Sequence, residues 1–142
     1  MTPESLFSIL NLIALVGWIL LIVQPGRRWV ATVTTTAIPA VMAIAYVAVL
    51  ATMWGSAEGG FSTLAGVAQL FREPWLLLAG WVHYLAFDLI VGSWEARDAR
   101  ERNIPHLVVV PCLILTFLFG PAGWLLYAIV RSSRRPVAAA SR

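Results

Sequence analysis

The sequence has no lysine, a single cysteine and few charges of either sign. Charged residues are only 12% of the chain, where a soluble domain carries about a quarter. That scarcity excludes an ordinary water-soluble globule. Without lysine, the formal charge of +3 rests on arginine alone. The arginines sit beside apolar runs, as membrane-flanking residues do, and no nucleic-acid face is expected. The lone Cys112 permits no intrachain disulfide. No phosphate loop, haem-attachment motif or serine–histidine–aspartate constellation is visible, and no cofactor or metal is expected.

What the chain does have is apolar length. Hydrophobic residues make up 60% of its 142 positions, and the mean hydropathy is +0.82. A membrane-crossing helix needs roughly 20 mostly apolar residues, and four segments qualify: Ser5 to Val23, Trp29 to Trp54, Trp75 to Trp94, and Leu107 to Val130. Backbone groups cannot go unpaired in hydrocarbon, so each segment is predicted to be a helix. Gly55 to Gly60 reads as a loop. After it, Leu64, Val67, Ala68 and Phe71 share one helical face on a segment too short to span, which suits a short interfacial helix. The fold expected is therefore all-α: a polytopic four-helix transmembrane bundle over residues 1–136, with an interfacial helix between the second and third spans and a disordered tail over 137–142.

The first apolar run lacks a basic flank, carries Glu4 and shows no small-residue cleavage site, so it reads as a retained helix rather than a signal peptide. Pro39, Pro111 and Pro121 fall inside spans and predict kinks, and Pro105 marks the turn into the last. With four crossings, Arg27, Arg28, Arg97, Arg100 and Arg102 share one face and Arg72, Arg131, Arg134, Arg135 and Arg142 the other. That even division leaves the orientation open: the first helix favours both termini outside the cytoplasm, and the arginine-rich tail favours the reverse.

The third span carries the polar groups that demand explanation. His83 lies about 13 Å into it and Asp88 about 7.5 Å further. A carboxylate at such depth costs at least ~2.5 kcal/mol and should face the bundle interior with a partner. An imidazole and a carboxyl there form a plausible acid–base couple, yet five residues place them about 140° apart, too far to touch on a regular helix. Each alternatively bonds a neighbouring helix and holds the bundle together. Asp98 lies about 60° from His83 in phase and pairs with Arg102 at i,i+4, as Arg97 does with Glu101. Glu95 follows Asp88 in phase. His106 adds a second imidazole, but depth separates these groups too widely for one metal centre. Asn11 and the run Thr34-Thr35-Thr36 are expected to bond across helices or back onto their own backbone. Trp18 and Trp81, deeper than interface anchors, and Phe87 are the residues expected to line a pocket for a long apolar ligand.

Gly60-Phe61-Ser62-Thr63-Leu64, Trp81-Val82-His83-Tyr84-Leu85-Ala86-Phe87-Asp88-Leu89, Arg97-Asp98, Pro105-His106, Pro111-Cys112-Leu113 and Phe119-Gly120-Pro121-Ala122-Gly123 together resemble the ABA4-like family of membrane proteins. The resemblance implies a four-helix integral membrane protein connected with carotenoids, whose plant members are required for neoxanthin formation. It implies a cofactor-independent isomerase, opening an epoxide or shifting a double bond by acid–base chemistry, with His83, Asp88 and Asp98 supplying the acid and base. A noncatalytic carotenoid- or lipid-binding accessory protein is the alternative, and a small proton or ion conduit a second. Expected partners are the bilayer, an isoprenoid ligand, and a second copy or a partner membrane enzyme. The arginine-only basic composition and the lack of a plastid-targeting extension point to a bacterial cell membrane.

Overall fold

The first helix, α1 (Pro3–Val23), starts where the Thr2 side chain accepts a hydrogen bond from the Ser5 N–H, with Pro3 in the first turn where its missing donor costs nothing. The structure, a computed structural model, describes residues 1–53, 55 and 57–133. Trp54 and the tail expected over 137–142 fall outside them. Among the described residues the regular structure is helical throughout.

After a turn at Pro25–Gly26, the second apolar segment runs as one helix, Arg28–Met53, in three parts: α2 (Arg28–Thr32), a π-turn (Val33–Ala37) and α3 (Ile38–Met53). The π-turn is how the helix accommodates Pro39. Ile38 N–H reaches back to Val33 O, and Thr34 and Thr35 hydroxyls donate to Val30 O (3.0 Å) and Ala31 O (2.7 Å). Threonine hydroxyls thus occupy carbonyls in a stretch where the regular ladder is interrupted.

Next comes the short α4 (Leu64–Leu70), capped by Thr63. Leu64 is 85% exposed. The residues that turn inward are Gly66, Val67 and Leu70, so the inward face differs from the one expected through Leu64 and Ala68. Then α5 (Pro74–Glu101), 28 residues long, forms the hub and packs against α1, α3 and α6 (His106–Phe119). The buried core runs along it: Leu78, Val82, Leu85, Leu89 and Ala96 meet Trp18, Met42 and Leu113. Three helices, Pro3–Val23, Arg28–Met53 and Pro74–Glu101, are long and apolar enough to cross a membrane. Large apolar side chains on their outer faces, such as Leu12, Ile19, Ile44 and Val47, are exposed, as lipid-facing residues are.

The fourth expected span is not one helix. It divides at Gly120 into α6 and α7 (Pro121–Ser132), and the two fold back on each other as a hairpin. A Cβ on Gly123 would run into the Thr116 backbone, although residues seven apart in a straight helix are separated by about 10.5 Å. Gly120 packs on Asp88, whereas Tyr127 and Arg131 reach Asp98. Hence α7 retraces the direction of α5, and α6 opposes both. The physical cause lies in Phe119-Gly120-Pro121-Ala122-Gly123. Gly120 adopts φ +27, ψ −88, a conformation that L side chains rarely adopt. Pro121 then starts a new helix at its first position, where proline is favoured. Gly123 lets the two backbones close. Pro111, by contrast, sits inside α6 without ending it.

Candidate functional site

Between α3, α5 and the connection from Gly55 to Phe71 lies a cavity of about 450 Å³, within the range of small-ligand sites. Leu50, Met53, Phe61, Leu70, Phe71 and Leu76 supply most of its walls, and among the described residues Tyr46 and His83 are the polar side chains lining it. Their rings lie 5.9 Å apart, and Phe87 stacks on His83 at 4.6 Å. Gly59 and Gly60 close over α4, where Gly60 N–H donates to Gly66 O (3.3 Å). The lid is therefore a tight glycine crossing resting on an apolar slot.

A second polar cluster runs along α5 where it meets the hairpin. Asp88 lies against Gly120, with Tyr84 alongside its carboxylate, and its Oδ2 is buried with no hydrogen-bond partner among the described residues. Gly120 is at once the C-cap of α6 and the N-cap of α7, so the Asp88 carboxylate sits where the two helices of the hairpin meet. Two turns on, Glu95 is fully buried. The Thr116 hydroxyl lies 3.0 and 3.1 Å from its two oxygens. Asp98 closes the sequence at the arginine-bearing end. It pairs with Arg102 and Arg131, each at 2.8 Å, and accepts from the Tyr127 hydroxyl at 2.7 Å, while Arg131 also sits over the Trp94 ring at 5.6 Å.

The structure thus separates the residues expected to act together. His83 opens into the cavity, Asp88 faces the hairpin tip and Asp98 is held in its ion pairs, so the three do not share a pocket. The 140° between His83 and Asp88 follows from a regular α5, which carries no π-turn. Trp18 is buried with its ring against Gly92 and Phe117, so it packs in the core and is not among the residues lining the cavity beside Tyr46 and His83. Trp81 donates from Nε1 to Asn11 Oδ1 (3.2 Å), and Asn11 Nδ2 donates to its own helix at Phe7 O (2.8 Å). Phe87 is 55% exposed and flanks the cavity through its stack on His83. At the far end, His106 binds Ile22 O at 2.7 Å. Sequence reasoning missed Tyr46, a lone tyrosine in an apolar helix without distinguishing pattern. It also undervalued Glu95, which only its i+7 spacing from Asp88 marks.

Long apolar helices, a lipid-facing apolar surface and an internal slot define an integral membrane protein of the all-α class. The family model described as ABA4-like, ABA DEFICIENT 4-like, matches residues 5–127, and the chain belongs to that family. No curated protein and no solved structure matches it.

Proposed function

We propose that the protein binds an apolar isoprenoid, a carotenoid or a relative of one, and isomerises it by proton transfer without a cofactor. One observation carries this reading: an apolar cavity beside α5 in which the side chains of Tyr46 and His83 stand close enough to flank one end group. Its volume suits the cyclic end of such a molecule, and the remaining chain would run out past Phe87 into lipid. Family membership supports the substrate class, and the arginine-only composition favours a bacterial cell membrane.

In an epoxide opening, the Tyr46 hydroxyl donates its proton to the oxygen as the C–O bond breaks. His83 takes the proton from the neighbouring carbon, and that C–H electron pair becomes the new double bond. A proton passed from His83 back to Tyr46 resets the pair, so no oxidant or reductant is consumed. Asp88 and Asp98 act on this reading as positioning residues for the hairpin rather than as the acid and base. A noncatalytic carotenoid-binding role uses the same cavity without the proton steps.

Expression in carotenoid-producing cells, with chromatography of total and co-purified pigments, tests the proposal. The wild type is expected to alter the pigment profile. His83→Ala and Tyr46→Phe should retain pigment but lose the alteration, and Leu50→Trp should fill the cavity and lose both. Pigment bound but unaltered by the wild type selects the noncatalytic role. Absence of bound pigment, or binding unaffected by Leu50→Trp, overturns the cavity as the site.

A further inference from the structure

The hairpin changes which residues share an end of the bundle. Helix α1 and helix α5 run the same way: Phe7 stacks on Trp81 near their starts, and Arg100 Nη1 donates to Pro25 O (2.7 Å) near their ends. Because α7 returns beside Asp98, it delivers Arg131 to the end that already holds Arg27, Arg28, Arg97, Arg100 and Arg102. Of the seven arginines among the described residues, Arg72 alone lies at the other end, in the company of Glu4, Glu58 and Glu73. A straight fourth helix would have carried Arg131 to the end that holds Arg72; the folded one brings it to the end where the other five described arginines lie.

We propose that the arginine-bearing end is a docking surface for the anionic phospholipid headgroups of the cytoplasmic leaflet. The hairpin α6–α7 enters and leaves the bilayer from that side, and the Tyr46–His83 cavity lies toward the opposite leaflet. Arginine in short loops next to spans fixes the cytoplasmic side, and guanidinium groups at that depth meet phosphates with charge-assisted hydrogen bonds. Arg27, Arg28, Arg97 and Arg100 are exposed and so available to headgroups, while Arg131 is drawn into the pair with Asp98. Large apolar side chains of the hairpin, among them Leu107, Ile114, Leu118, Phe119, Trp124 and Ile129, are exposed, as a re-entrant element in lipid requires. Its tip backbone is covered by protein where Gly120 is buried against Asp88, which satisfies the condition for helix-breaking inside a bilayer. The leaflet from which the ligand enters rests on the ligand-binding reading above; the orientation does not.

Single cysteines on a Cys112→Ser background test the arrangement in a bacterial host, using a membrane-impermeant maleimide on intact cells and on inverted vesicles. Ser5→Cys and Ser62→Cys should label in intact cells, and Gly26→Cys and Ser133→Cys only in inverted vesicles. Labelling of Ser133→Cys together with Ser5→Cys would restore a fourth crossing and overturn the hairpin. Labelling of Gly26→Cys in intact cells would overturn the orientation. A triple variant, Arg27→Gln, Arg28→Gln and Arg97→Gln, should leave part of the population inverted and carry several-fold less phosphatidylglycerol, read by mass spectrometry of the detergent-purified protein. Unchanged orientation and unchanged phosphatidylglycerol would overturn the headgroup assignment. Failure of pigment to bind would remove the leaflet of entry and leave the labelling pattern standing.

Discussion

The Asp88 carboxylate rests directly on Gly120, so closely that a Cβ there would lie 2.6 Å from Oδ1. The tip of the hairpin therefore depends on a residue without a side chain meeting an acid from another helix. It joins two requirements, an unusual backbone conformation and a close approach, at one position.

Gly120→Ala should destabilise the protein through both. Strain from a side chain at φ +27 costs about 1–3 kcal/mol, and the contact with Asp88 adds to it. Thermal unfolding in detergent checks the sum. In an Asp88→Ala background the same substitution should cost less, since only the backbone component is left. Equal costs in the two backgrounds would mean that the carboxylate does not press on the turn.

The buried Glu95 depends on the Thr116 hydroxyl. Thr116→Val keeps the volume but removes the donor, and stranding a buried polar group costs about 1–3 kcal/mol. The loss should shrink when Glu95 is replaced by leucine, because no acceptor is then left unsatisfied. A double-mutant cycle on unfolding midpoints measures that coupling, and additive losses would show that the hydroxyl does not support the acid.

Across α1 and α5, Trp81→Phe keeps an aromatic ring against Phe7 and deletes the bond to Asn11. Hydrogen bonds between membrane helices average about 0.6 kcal/mol and reach about 1.7, so a modest fall in stability is expected. Asn11→Leu should cost a similar amount, and the pair together little more than either. A loss above that range would point to packing rather than to the hydrogen bond.

Much of this molecule is legible in its sequence, and the reasons for success and failure are physical. The first three long helices follow from apolar run length, because hydrocarbon leaves the backbone no other partner. The divergence of His83 and Asp88 follows from helical phase, and the Asp98–Arg102 pair from i,i+4 spacing. The hairpin escapes such reading because hydropathy reports what a residue prefers to touch, not the direction in which the chain travels. Leu107 to Val130 is as apolar folded in two as it would be straight. Gly120, Pro121 and Gly123 encode the reversal, and the two glycines are harmless-looking beside so many small residues. Glu95 was legible as polar but not as buried, since the hydroxyl that lies against it belongs to α6, twenty-one residues away. Tyr46 reaches the cavity only because α3 is placed against α5.

The π-turn ahead of Pro39 has a consequence for Tyr46. Its wider winding, with Ile38 bonded five residues back to Val33, holds one residue more than an α-helical turn would. Each residue of a helix is worth about 100° of rotation. Removing one threonine from Thr34-Thr35-Thr36 would let the winding relax to the ordinary pitch and leave everything downstream, Tyr46 included, facing as before, whereas the same deletion in the regular stretch of α3 before Tyr46 would swing it by about 100°. The π-turn is thus a place upstream of the slot where the chain can differ in length by one residue without re-aiming the tyrosine.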